Sequence, residues 1–209
     1  MIRALILIVA LPVLAACTAP TEDLSLTPEP IGDFRLGHNI AIADDTQRGP
    51  FSRGFTETQI EATLQKAVAD RLRRYDGDGL YHLGMNVGGL VLAQPGIPLI
   101  YAPSSVMIVD VTVFNNRTKA KLNEEPKRFQ VGEGLQNAVP ILGSGLTRDA
   151  DTQLANISVN FAKQLEEWLQ ENPEWFVGEP GAVRVPYNAT TQAPLLNADP
   201  DGEATPDDN

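Results

Sequence analysis

The sequence predicts an α+β fold, in which an antiparallel β-sheet carries two amphipathic helices on one face. Segments with apolar residues at every second position are interrupted by two segments with the helical period. Their order along the chain is β-α-β-β-β-α, without an internal repeat. A length of 209 residues fits one domain with tails better than two domains.

The first strand is predicted where apolar side chains recur at alternate positions. These side chains are Phe34, Leu36, His38, Ile40 and Ile42. One face of the strand should therefore be buried, and His38 should be a partly buried histidine whose hydrogen bonds are satisfied.

The first helix is predicted to begin after Thr56, which forms a capping-box pattern with Gln59. Phe55 and Ile60 occupy the positions of a hydrophobic staple around this cap. Apolar side chains then keep helical spacing on one face, at Ile60, Leu64, Ala67, Val68, Leu72 and Tyr75. The sequence Asp76-Gly77-Asp78-Gly79 ends the helix.

The second strand is predicted over Leu80 to Ala93, with Tyr81, Leu83, Met85, Val87 and Val91 on one face. His82 would lie exposed on the opposite face. Gly84, Gly88 and Gly89 indicate a bulge, or a place where another backbone or a ligand comes close.

A β-branched strand is predicted over Ser105 to Phe114, followed by a turn at Asn115-Asn116. The chain returns over Thr118 to Val131 as a strand interrupted near Pro126. Alternating cations would share one face of that strand, at Arg117, Lys119 and Lys121. They either contact an anionic lipid or acidic partner or protect a charged edge strand against aggregation, and the second interpretation is favoured.

The second helix is predicted from about Asp149 to Asn172, ended by Pro173. Its apolar face is formed by Leu154, Ile157, Phe161, Leu165 and Trp168, and its wet outer face by Glu166, Glu167, Glu171 and Glu174. Aromatic side chains cluster at its end, at Trp168, Trp175 and Phe176. They either complete the core or form a patch on which a partner docks.

The net charge of −11 belongs mostly to the ends of the chain. Residues 51–176 hold 15 acids and 12 bases, whereas residues 177–209 hold six acids and one base. A nucleic-acid-binding surface would need a clustered basic excess, so this class of function is excluded.

No catalytic or metal-binding motif is complete. One cysteine and two histidines exclude a disulfide framework and a zinc cluster. Ser144 lies in Gly-Ser-Gly and lacks the spacing of a nucleophile elbow. The Asp76–Gly79 turn lacks the third oxygen ligand and the closing Glu of a calcium loop. We therefore expect no enzymatic activity and no cofactor.

The N-terminus has the features of a secretion signal. Arg3 precedes the apolar stretch Ala4 to Leu14, which is too short to span a hydrocarbon layer of about 30 Å. The sequence Leu14-Ala15-Ala16-Cys17 resembles a bacterial lipobox. That resemblance implies that Cys17 is diacylated and N-acylated after cleavage, and more than one acyl chain gives stable anchoring. The alternative is an ordinary secretory signal with a chance cysteine.

By the same resemblance, Thr18 in place of Asp implies sorting to the outer membrane, facing the periplasm, with the inner membrane as the alternative. The predicted organisation is a signal peptide over 1–16, a tether over 17–32, one α+β domain over 33–176 and a mostly disordered, Pro- and acid-rich tail over 177–209. Within the tail, Arg184 to Tyr187 could pack locally.

Residues 110–131 (DVTVFNNRTKAKLNEEPKRFQV), the GSGL of 143–146 and the WLQENPEWF of 168–176 resemble uncharacterised small periplasmic lipoproteins of Gram-negative bacteria. The resemblance brings no catalytic motif. The expected function is a membrane-anchored, non-enzymatic interaction module of the cell envelope, with the bilayer and another envelope protein as partners. The alternative is a carrier of a lipid or small ligand, with a pocket between sheet and helices near Gly84 to Gly89.

Overall fold

The computed structural model describes residues 24, 26–49, 52–94, 105–132, 149–178 and 181–187. The elements are β1 (Phe34–Ile42), β2 (Gln47–Arg48), α1 (Glu57–Leu72), β3 (Gly79–Val91), β4 (Val106–Asn115), β5 (Lys127–Gly132) and α2 (Ala150–Gln170), and a 3₁₀ turn (Pro173–Phe176) follows α2. Cys17, Ser144 and the GSGL segment lie outside the described residues. No helix in the described part of the chain has the length and apolar character to cross a membrane.

The strands form one five-stranded sheet in the order β1-β3-β4-β5, with the short β2 beside β3. β3 pairs antiparallel with β4, and β4 pairs antiparallel with β5. β1 and β2 run parallel to β3. The predicted α+β class is confirmed, but the sheet is mixed. The parallel pair arises because α1 lies between β1 and β3 and returns the chain to the starting end of the sheet.

Both helices cover the same face of the sheet, because α1 packs on β1 and on α2, and α2 packs on β5. The centre of this inner face is β4, where Met107, Val109, Val111 and Val113 are all 0% exposed. Side chains of both helices complete the core, and Ile60, Leu64, Ile157 and Phe161 among them are also fully buried.

A bulge in β1 changes which side chains point into this core. The pairing register with β3 shifts between Leu36 and Asn39. Phe34 and Leu36 are therefore buried as predicted, whereas Ile40 and Ile42 point outward. The prediction of one continuous apolar face on this strand is wrong, because one inserted residue exchanges the two faces of a strand.

A second register shift lies in β3 between Val87 and Gly89, so the bulge predicted from the glycines is confirmed. Beyond it Leu90 is buried, and Val91, predicted on the inner face, is only half-buried. His82 lies on the face away from the helices, as predicted, but is half-buried.

The predicted ends of the helices agree closely with the structure. Thr56 and Gln59 form the capping box of α1. The predicted apolar face is buried from Ile60 to Tyr75. In α2, Asp149 is the N-cap and accepts a 2.8 Å hydrogen bond from the backbone N–H of Thr152.

Glu166 was predicted on the wet face of α2, and this prediction is wrong because the residue is only 5% exposed. Its carboxylate lies between the helices, 2.7 Å from Nη1 of Arg71 and 2.8 Å from Nη2 of Arg74. The hydroxyl of Tyr75 donates a third hydrogen bond of 2.6 Å. The charge can be buried because these donors satisfy it.

The returning strand after β4 is shorter than predicted. Strand pairing resumes at Lys127, and the segment before it contains turns and a single isolated bridge between Phe114 and Lys121. Lys119 has a positive φ of 59°. The alternating cations therefore do not share a strand face, and that part of the prediction is wrong.

Candidate functional site

The face of the sheet away from the helices, called the outer face below, carries half-exposed side chains from four strands. The strand registers place them in rows across the sheet. One row is Ile40, Gly84 and Thr112, and the next is Ile42, Asn86, Asp110 and Arg128. A solvated sheet face is usually polar, and this one is interrupted by large apolar side chains.

A groove opens in the middle of the outer face, because Gly84 leaves a gap between its neighbours on β1 and β4. A Cβ atom at Gly84 would lie 3.5 Å from Cε2 of Phe114, an ordinary van der Waals contact. The groove has a volume of about 250 Å³ and is lined by Ile42, Gly84, Asp110, Thr112, Phe114 and Pro126, among others. It is called the Gly84 groove below.

The charged groups at one end of the groove are mostly acidic. Arg128 is bound to Asp110 by two hydrogen bonds of 2.8 Å, from Nε and from Nη2. The hydrogen bond from Arg128 lowers the pKa of Asp110, and the partial burial of that carboxyl opposes the shift only in part. Glu125 lies beside this pair, and Asp44 and Asp45 are exposed just after the end of β1.

Two histidines meet at the other end of the outer face. The rings of His38 and His82 are stacked, with centroids 5.0 Å apart. The backbone N–H of His38 donates to Nδ1 of His82 over 2.9 Å, and Nε2 of His82 lies 3.0 Å from Oδ1 of Asn116. Since Nδ1 accepts a hydrogen bond, the proton of the neutral His82 ring is on Nε2, which donates to Asn116.

The pKa of His38 is lowered, first by burial and then by the neighbouring His82 and Arg73. His38 is partly buried, as predicted, but its pairing with His82, 44 residues away in the sequence, was not predicted. In the described part of the chain, no group of three or more His, Cys, Asp or Glu side chains could hold a metal ion.

Residues 181–187, called the strap below, cross the end of the outer face next to the histidines. The carbonyl of Val185 accepts a 2.6 Å hydrogen bond from Nη2 of Arg35. The ring of Tyr187 stands edge-on to His38, with centroids 5.3 Å apart. Arg184 forms ion pairs with Asp76 and Asp78 in the turn after α1. The strap therefore covers this end of the face, and its described residues, 181–187, do not line the Gly84 groove.

The cations singled out in the sequence lie in the loop after β4. Arg117, Lys119 and Lys121 are all exposed. Lys121 is bridged to Phe114, at the opposite end of the groove from Asp110, and Nζ of Lys119 donates to Asn116 over 2.9 Å. Their contact with an anionic partner stays a prediction.

The aromatic cluster at the end of α2 mostly belongs to the core. Phe176 is 1% exposed and packs edge-on against Phe34 and Tyr81, with centroids 5.2 and 4.9 Å away. Trp168 and Trp175 contact each other and are partly buried against the core. Of the two interpretations the structure favours core packing for Phe176, and docking through the two tryptophans stays a prediction.

Sequence reasoning missed the outer face because it assigned Ile40 and Ile42 to the core. The available signal was the polar Asn39 directly before Ile40. Asn39 is 2% exposed, and its side-chain amide donates to the carbonyl of Gln65 in α1 over 2.7 Å. This hydrogen bond to a helix carbonyl shows that Asn39 points inward, toward α1, so its neighbour Ile40 points outward.

No protein-family model and no curated protein matches this chain. Solved structures are similar to it, and three of them match over about two thirds to three quarters of its length. A candidate lipoprotein from Caulobacter crescentus is 14% identical, with a TM-score of 0.36, and the match covers 68% of this chain and 93% of that one.

A Xanthomonas campestris protein described with the DUF330 family is 12% identical, with a TM-score of 0.45 and coverage of 76% and 96%. A hypothetical protein from Chlamydia trachomatis is 9% identical, with a TM-score of 0.37 and coverage of 66% and 92%. At these values the likeness assigns neither a family nor an activity to this chain.

Proposed function

We propose that this chain is a lipid-anchored lipoprotein of the bacterial cell envelope and that its domain binds another envelope component without catalysis. The anchor would be Cys17, acylated within the lipobox and held in the outer membrane with the domain in the periplasm. The observation that carries the proposal is the outer face, on which Ile40 and Ile42 are 47% and 49% exposed.

Exposed apolar side chains grouped on one surface usually mark a place where another molecule binds. Most large apolar side chains of the described strands and helices are buried in one core. The two isoleucines lie instead beside the Gly84 groove. Single exposed apolar residues need no explanation, but two adjacent ones beside a groove favour docking.

Two polar side chains of the outer face, His82 and Arg128, are held by hydrogen bonds to neighbours on the same face. His82 hydrogen-bonds to Asn116 and to the backbone of His38, and Arg128 binds Asp110. This pairing favours a structural or recognition role over acid–base chemistry, which needs a group free to exchange a proton with a substrate.

The test is crosslinking of the lipidated protein in intact cells with a short reagent, followed by mass spectrometry of the purified adducts. The proposal predicts one dominant envelope protein. Recovery of monomer alone, or of lipid alone, would contradict the interaction function. The Cys17→Ala variant tests the anchor separately, because it should leave the membrane fraction, and its retention there would show that anchoring through Cys17 is wrong.

The carrier alternative has less support, because Gly84 lies on the outer face and the inner positions beside it are filled by Leu83, Met85 and Val87, each 1–2% exposed. A carried ligand would have to lie in the open groove, whose 250 Å³ is below the range of about 300–1,000 Å³ usual for ligand pockets. Native mass spectrometry of the purified protein decides this point, because a carrier would retain bound lipid.

A further inference from the structure

We propose that the Gly84 groove receives an apolar side chain from a basic segment of another envelope protein. This inference rests on the proposed interaction function and specifies the chemistry of the partner. It combines the width of the groove, the apolar character of its walls and the distribution of charge along its length.

The width of the groove selects what can enter it. Neighbouring strands lie about 4.8 Å apart, so the backbones of β1 and β4 on either side of β3 are separated by about 9.6 Å. The side chains on each wall occupy about 2 Å of this gap, since carbon atoms in contact are about 4 Å apart. The ring of Phe114 narrows this gap further, because its Cε2 lies 3.5 Å from the position of a Cβ at Gly84. The groove therefore accepts at most one row of side chains, and a whole helix, with a diameter of about 10 Å, is too wide.

The walls select an apolar side chain. Ile42 lies on one side, Phe114 and Thr112 lie on the other, and Pro126 closes the groove toward β5. Gly84 contributes only backbone to the floor. A polar side chain entering this space would lose water and gain few hydrogen bonds, so an aliphatic or aromatic one binds better.

The charges at the Asp110 end select a cation beside that apolar side chain. Glu125 lies beside Asp110, and Asp44 and Asp45 are exposed just after the end of β1. The cations at this end are Arg128, which Asp110 binds through Nε and Nη2, and the exposed Lys127 next to it, so the acidic groups outnumber them. A basic residue of the partner would therefore meet an acidic rim. An anionic membrane surface would be repelled at this end, which argues against lipid headgroups as the occupant.

The cations of the 117–121 loop do not cancel the preference of the Asp110 end for a basic residue of the partner. Phe114, next to Lys121, is four residues from Asp110 along β4, a distance of about 13 Å. The Debye length at physiological ionic strength is about 8 Å, so the two ends of the groove are largely screened from each other. The groove thus fixes the direction of the partner segment, with its basic side toward Asp110.

Photocrosslinking in intact cells tests the proposal with the full-length, lipidated protein. A photoreactive amino acid replaces Ile40, which is half-exposed and pairs with Gly84 in the neighbouring strand. In a matched control it replaces Lys66, exposed on α1. We expect an adduct from position 40 only, and the crosslinked peptide of the partner should contain an apolar residue flanked by Lys or Arg. An adduct with lipid, with an acidic peptide, with a second copy or with the chain's own residues would overturn the proposal.

Two pairs of variants separate groove filling from misfolding. With the photoreactive residue at position 40, Gly84→Val fills the groove and should lower adduct yield at least about tenfold, as for loss of a binding hot spot. Gly88→Val is its control, because a Cβ there meets nothing within 4 Å. Equal yields from the two variants would contradict the proposal.

The second pair exchanges charges. Combined Asp44→Lys and Asp45→Lys should also reduce the yield about tenfold, whereas Lys119→Glu at the far end should leave it within about twofold. Asp44, Asp45 and Lys119 are exposed, so the charge variants should fold even if Gly84→Val does not, and they then decide the test. If a dominant partner is captured but maps to another surface, the proposed function survives and this inference fails.

Discussion

Glu166 shows how the environment of one carboxylate is decided by partners distant in sequence. Burial alone would raise its pKa, but hydrogen bonds from Tyr75 and Arg74 and the charge of Arg71 lower it overall. Burial raises the pKa of Tyr75, and the hydrogen bond to Glu166 and the charge of that carboxylate raise it further. One ionised carboxylate therefore joins the end of α1 to α2.

Replacing Glu166 with Gln should lower the free energy of unfolding by about 3 kcal/mol, because it leaves the buried charge of Arg71 without its counter-ion. Urea denaturation measures this loss. Glu167→Gln is the matched control, since Glu167 is exposed and should change stability by no more than about 0.5 kcal/mol. Equal effects would mean that the ion pair does not stabilise the folded state.

His38 should make stability depend on pH. Its pKa in the folded state is lowered, so the unfolded chain, with an ordinary histidine pKa near 6.5, takes up protons first as the pH falls. This contribution is fully present above about pH 6.5 and decreases as the pH falls below it. Denaturation curves at pH 7.5 and pH 5 should show a smaller loss in His38→Phe than in the unmodified protein. If both proteins lost the same stability between pH 7.5 and pH 5, the pH dependence would come from titratable groups other than His38.

At the scale of elements, the helices could be predicted from the sequence more accurately than the strands. Caps and periodicity are local signals, so Thr56 and Asp149 marked the two helix starts correctly. The bulge at Leu36–Asn39 is not local, because it depends on how β1 pairs with a strand more than forty residues later. The parallel pairing of β1 and the inward position of Glu166 were missed for the same reason, since both depend on tertiary neighbours.

The capping box of α1 gives a direct test of that local signal. Thr56→Ala should lower the free energy of unfolding by about 1 kcal/mol, because the backbone N–H of Gln59 loses its acceptor. Thr63→Ala lies in the interior of the same helix, where Ala has the higher helix propensity, and should not lower it. Chemical denaturation compares the two, and a larger loss at Thr63 would contradict the capping argument.

The strap should protect the histidine pair from solvent. A chain ending at Gly178 lacks Tyr187, which packs against His38. Burial is the main cause of the lowered pKa of His38, so truncation should move it back toward 6.5. NMR titration of the imidazole resonances measures this shift, with a chain ending at Tyr187 as the control. An unchanged pKa would show that the strap contributes little to that burial.

At the scale of the whole molecule, the core and the proposed docking surface lie on opposite faces of one sheet. The inner face holds the core, and the outer face holds the Gly84 groove and its exposed isoleucines. Side chains on the outer face can therefore change without emptying the core. This separation agrees with a domain whose stability and whose partner are set by different residues.

Matched substitutions on the two faces test this separation. Ile40→Thr with Ile42→Thr should change the free energy of unfolding by less than about 1 kcal/mol, because both residues are half-exposed. Val109→Thr, fully buried on the inner face, should lower it by about 1–3 kcal/mol by burying a hydroxyl. Thermal and urea denaturation provide the comparison, and a similar loss in both variants would contradict the separation.

The hydrogen bond from the backbone N–H of Asp33 to the carbonyl of Phe176 brings the entry and the exit of the domain to one point, at the start of β1. Any pull from an N-terminal anchor acts there. Ile42 lies eight residues farther along β1, at a distance of roughly 26 Å. In the proposed lipid-anchored protein, the Ile42 end of β1 and the groove beside it would therefore lie roughly 26 Å from the point where the tether pulls.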